Sequence, residues 1–83
     1  MQTTFTLTPK GHAALNHMMN ELYFAADANA LARYILKSLE AGPKTKYVIL
    51  DDALSTDILE DVTAEKFNDV FRQVSQRGWA HTT

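Results

Sequence analysis

The sequence contains no cysteine, only three glycines and two prolines, and no excess of basic over acidic residues. Without cysteine there can be neither a disulfide nor a thiolate metal site, the usual staples of very small domains. The same absence removes a cysteine nucleophile and fits a reducing cytoplasm, the expected location. Gly11, Gly42 and Gly78 stand far apart, so no glycine-rich loop is present to cradle a phosphate. Apolar runs such as Tyr47-Val48-Ile49-Leu50 fall far short of a membrane span, which needs about 20 residues. No basic N-terminal run leads into an apolar stretch as in a secretion signal. Eight Lys and Arg against ten Asp and Glu give a net charge of −2, which argues against a chain built to grip phosphate backbones.

What is present points to a folding chain. Its 83 residues are 46% hydrophobic and 22% charged. Those values are close to globular averages, and the length suffices for one small core and a single domain over 1–83. Charge is unevenly placed. Asp51, Asp52, Asp57, Glu60, Asp61 and Glu65 follow one another with no Lys or Arg between them, whereas elsewhere the eight bases face only four acids.

Turn and cap chemistry divides the chain. Phe5 and Leu7 alternate with threonines over 2–8, the period-2 pattern of a strand with one buried face. Thr8-Pro9 starts a helix expected over about 9–22, threonine capping and proline tolerated at the first position. Its inward face would be Ala14, Leu15, Met18, Met19 and Leu22, and Gly11 would weaken it. A break falls near Tyr23–Ala26, where Asp27 or Asn29 can cap a second helix over about 28–41 that buries Leu31, Ile35 and Leu39. Gly42-Pro43 ends that helix. Tyr47–Leu50 reads as the central strand, and 53–62 as either a short helix or a hairpin arm. Thr63 caps a last helix over about 64–77 with the stripe Phe67, Val70, Phe71, Val74, closed by Gly78. Trp79 and the tail form a short edge strand or fray. These elements make an α+β fold, a sheet of two to three short strands with about three helices on one face. Parallel and antiparallel pairing both remain open.

No arrangement of residues announces chemistry. His12 and His17, five apart on one helix, do not converge as an i, i+4 ligand pair does, and His81 lies in the tail. Ser38 and Ser75 are helix-interior residues, and Ser55 lacks the signature of a nucleophile elbow. Asp51-Asp52 lacks the spacing of a calcium loop and reads as a solvated turn. No catalytic residue, metal or cofactor is expected. The segment Phe5-Thr6-Leu7-Thr8-Pro9-Lys10-Gly11 resembles the strand-to-helix junction of winged-helix regulators. There the junction follows the recognition helix, whereas here it opens the chain, and the likeness is confined to this one segment.

Two features suit a protein partner. Asp51, Asp52, Asp57, Glu60 and Asp61 could present an acidic surface to a basic protein. Tyr23, Phe24, Tyr34, Tyr47 and Trp79 supply aromatics, the common anchors of interfaces. Of these, Trp79 and either Tyr23 or Phe24 are expected to stay partly exposed. The resulting expectation is a small non-enzymatic protein-binding module, an accessory or inhibitor protein such as phages and other mobile elements encode, acting on a basic, nucleic-acid-handling partner and possible as a homodimer. The alternative is a small dimeric DNA-binding regulator. Direct nucleic-acid binding is disfavoured by the dispersed Lys10, Arg33, Lys37, Lys44, Lys46, Arg72 and Arg77.

Overall fold

The computed structural model describes residues 3–18, 20–56 and 62–82. In chain order these form β1 (Thr4–Leu7), α1 (Pro9–His17), α2 (Ala26–Glu40), β2 (Lys44–Thr45), α3 (Lys46–Ser55), α4 (Ala64–Gln76) and β3 (Ala80–Thr82). The strands make one sheet in the order β2-β1-β3, both pairings antiparallel. Phe5 stands between Lys44 and Thr82, so the first strand of the chain is the middle one. Phe5 and Leu7 turn toward a core built from all four helices, as their alternation with threonine requires. The fold is thus a small α+β arrangement of four helices and a three-stranded antiparallel sheet among the described residues.

Local chemistry explains most boundaries. Thr8 accepts the Gly11 N–H at 2.9 Å, capping α1, and donates its hydroxyl to the Gly78 carbonyl at 2.6 Å. Such a cap satisfies an amide that the helix itself leaves unpaired. Gly11 proves to be a close-approach residue: a Cβ there would lie 2.0 Å from the Trp79 carbonyl oxygen. Only glycine, which has no Cβ, fits. Gly42 and Gly78 take positive φ just past α2 and α4, the backbone conformation that favours glycine. Thr63 caps α4 by accepting the Lys66 N–H at 3.1 Å, and the Phe67, Val70, Phe71, Val74 stripe is buried.

Three expectations are corrected. The Tyr47–Leu50 run is helical: Thr45 accepts the Val48 N–H at 3.3 Å and starts α3, which then buries Ile49 and Ala53. A short apolar run fits a strand or a helix turn equally, and here the cap and tertiary packing override the β preference of valine and isoleucine. Helix α1 stops at His17, whose carbonyl accepts N–H groups from both Asn20 and Glu21, so Leu22 lies in a connector and is 68% exposed. Met19, placed on the same inward face, lies outside the described residues. Neither Asp27 nor Asn29 is the N-cap of α2, which is Ala25. Asp27 instead accepts the Ala28 N–H within the first turn, and buried Asn29 accepts the Tyr23 N–H and ties down the connector.

Candidate functional site

Helix α3 carries apolar residues on more than one face, interrupted by Lys46, Asp51, Asp52 and Ser55. Taking ~100° per residue, Ile49 and Ala53 point one way, Tyr47 and Leu54 point roughly 140–160° away from Ile49, and Leu50 and Val48 flank them on either side. Ile49 and Ala53 are fully buried, with α3 packed against α2, α4 and β2. Tyr47 is 62% exposed, Leu54 50% and Val48 46%. No described element covers the face that Tyr47, Val48 and Leu54 share. Tyr47, Val48, Leu50, Asp51 and Leu54 line a shallow groove of about 420 Å³ along it.

The acidic residues meet this groove only in part. Asp51 lies on the outward face between Tyr47 and Val48, and Asp52 is beside Val48. Both are exposed and, among the described residues, neither forms an ion pair. Asp57, Glu60 and Asp61 lie outside the described residues. Helix dipoles favour acids at the N-terminus and bases at the C-terminus. In α3 Lys46 stands at the start, Asp51 and Asp52 fall in the second half, and no base occupies the last turn. The negative end of the helix and two carboxylates therefore add to one another.

The aromatic candidates gather elsewhere. Tyr23 and Phe24 meet Trp79 edge-on, with ring centroids 5.4 and 6.0 Å apart. Arg77 closes the group, its guanidinium 4.6 Å from the Phe24 ring centre and 5.3 Å from that of Trp79, within the range of cation–π attraction. The expected exposure of Trp79 is corrected. It is only 5% exposed, because the Gly78 turn lets its N–H reach the Val74 carbonyl and seats the indole in the core. Tyr23 and Phe24 are half-buried and Tyr34 packs on the core, which leaves Tyr47 as the open aromatic. Trp79 leads into β3 while α3 leaves β2, so the aromatic cluster and the Asp51-Asp52 pair depart from opposite edges of the sheet.

The remaining polar groups are dispersed. His12 Nδ1 lies 3.3 Å from Glu40 Oε2, and His81 Nδ1 faces the Thr82 carbonyl at 2.8 Å. Among the described residues no three His, Asp or Glu side chains converge to hold a metal, and no helix is long and apolar enough to cross a membrane. A larger surface depression, about 710 Å³, lies on the polar side of α4 among Thr63, Glu65, Lys66, Asn68, Asp69 and Arg72. Three of those side chains are already paired, Lys66 with Asp27 and Arg72 with Asp69.

Sequence reasoning singled out Asp51 and Asp52 but missed Val48, Leu50 and Leu54. The available signal was that a helix over 46–55 places Tyr47, Leu50, Asp51 and Leu54 at i, i+3, i+4 and i+7, a second stripe opposite Ile49 and Ala53. Compared with protein-family models, with curated proteins and with solved structures, the chain matches none of them.

Proposed function

We propose that this chain is a non-enzymatic protein-binding module whose docking surface is the outward face of α3. The observation that carries the reading is a helix face that no described element covers, with Tyr47, Val48 and Leu54 at the surface. Exposed apolar side chains grouped on one surface and rimmed by polar groups suit an interaction site, whereas scattered single residues call for no explanation. The role suited to such a surface is that of a cytoplasmic accessory or inhibitor protein, occupying a partner without transforming it.

The positions of the basic residues weigh against the alternative, a dimeric DNA-binding regulator. Lys44 bonds the Ser38 carbonyl, Lys46 lies over the Phe71 ring, Lys66 and Arg72 pair with carboxylates, and Arg77 covers Phe24 and Trp79. Lys66 and Arg72 are already matched by carboxylates and the other bases are spread over several elements, so duplex DNA should not bind appreciably at physiological salt, as fluorescence anisotropy can check.

The test is site-specific photocrosslinking in the source cells. A crosslinker replacing Tyr47 should trap a discrete adduct that Leu54→Glu abolishes, while the same group at exposed Asn68 on α4 should not trap it. Identical adducts from both positions, or none from Tyr47, would remove α3 as the binding surface.

A further inference from the structure

If α3 is the docking surface, as the reading above holds, its charge decides what docks there. We infer that the occupant is an amphipathic helix of another protein that carries Lys or Arg beside its apolar stripe, with the cations seated at the second half of α3 against Asp51 and Asp52. Shape supplies the first argument. The groove along Tyr47, Leu50 and Leu54 is shallow, about 420 Å³. That form suits the few large side chains that one helix lays into a neighbour.

Charge supplies the second. Asp52 in the last turn, Asp51 just before it and the negative end of the helix dipole reinforce one another, and no base within α3 offsets them there. That placement costs the isolated helix stability, and a bound cation relieves it. A second copy of this chain fits less well. A twofold contact centred between Leu50 and Asp51 would match Tyr47 with Leu54 of the other copy, but would also bring each Asp51 toward its counterpart in the least hydrated part of the contact.

The probes are two fluorescein-labelled peptides, each about four helical turns long with the same leucine stripe, one with lysine and one with glutamate at the polar positions. With the intact chain at about 0.15 M salt, the lysine peptide should bind at least about tenfold more tightly. Leu54→Ser should abolish that binding. Asp51→Asn with Asp52→Asn should bring the two peptides to near equality, while Glu65→Gln with Asp69→Asn, an equal change in net charge on α4, should leave the preference intact.

Several results would overturn the inference. Equal binding of both peptides that Leu54→Ser removes would leave α3 as a docking surface without charge selection. Loss of preference in the α4 variant as well would reduce the effect to net charge. A dimer by analytical ultracentrifugation that Leu54→Ser dissociates would make the occupant a second copy. A monomer that binds neither peptide would leave no support for a basic helix.

Discussion

Helices α3 and α4 pack against one another and share one core, yet they are built on opposite plans. In α4 a buried stripe of Phe67, Val70, Phe71 and Val74 is backed by Glu65, Asn68, Asp69 and Arg72 in water, with Glu65 in the first turn and Arg77 at the C-cap. Its first turn holds Glu65 beside Lys66, and Arg77 at the C-cap stands at the negative end of its dipole. In α3 apolar residues stand on both the buried and the outward face, and the charges run against the dipole, Lys46 at the start and Asp51 and Asp52 near the end. The difference separates a helix whose large apolar residues are all buried from one that leaves Tyr47, Val48 and Leu54 at the surface of the described structure. Among the described residues, core packing accounts for Ile49, Leu50 and Ala53 but not for Tyr47 or Leu54.

The largest expected effects lie where the two helices are alike. Phe71 packs edge-on to Phe5, with centroids 4.8 Å apart, and stacks on Phe67 at 5.6 Å. Phe71→Ala should cost about 3–5 kcal/mol, and Ile49→Ala in α3 about 2–5 kcal/mol, each through lost transfer energy and a cavity. For a chain this small either loss removes much of the stability, so both variants should melt far below the parent. If Ile49→Ala melts with the parent, α3 is not anchored as described and the comparison fails.

The helix starts should respond next and equally. Thr63 and Thr45 each present a hydroxyl that accepts the N–H three residues on. Replacing either with alanine should cost about 1 kcal/mol by chemical denaturation. A cost for Thr63→Ala alone would mean that α3 draws its stability from packing and not from its cap.

On the outward faces the helices should diverge in function while agreeing in stability. Tyr47 and Leu54 are exposed groups. Tyr47→Ser and Leu54→Ser should therefore change the unfolding free energy by no more than about 0.5 kcal/mol, as surface substitutions usually do. A loss above about 2 kcal/mol, the scale of burying a whole apolar side chain, would show that this face is covered in the folded chain.

The same contrast explains what was legible in the sequence. Helix α4, the Gly42-Pro43 stop and the Thr8 and Thr63 caps depend on near neighbours in the chain, and all were readable. Tyr47–Leu50 was not, because Val48 and Ile49 suit a strand as well as a helix. The choice was made by the Thr45 cap and by packing on α2 and α4. Trp79 was misplaced for a similar reason, since its direction follows from the Gly78 turn and from contacts with Tyr23 and Phe24, far earlier in the chain. Asp51 and Asp52 could be named from charge alone. Their separation from the aromatic cluster could not, because it depends on β2 and β3 taking opposite sides of β1.

The smallest effect concerns a surface link that holds α4 to the start of α2. Lys66 donates to Asp27, and this hydrogen bond, then the Ala28 N–H and the charge of Lys66, hold the Asp27 carboxyl below the ordinary carboxylate range. For a carboxylate whose folded pKa is depressed, the stabilisation is complete above the unfolded pKa and disappears as pH falls through the folded one. Asp27→Asn should therefore lower the melting temperature slightly near pH 7, with the gap to the parent closing below about pH 4, where a free aspartate takes up its proton. Because the pair is exposed, 1 M salt should shrink the gap at neutral pH, where the Debye length is only ~3 Å. A gap that closes with pH but ignores salt would assign the effect to the Ala28 N–H, whereas one that ignores both would mean that α4 is held to α2 by its buried stripe without help from the Asp27 charge.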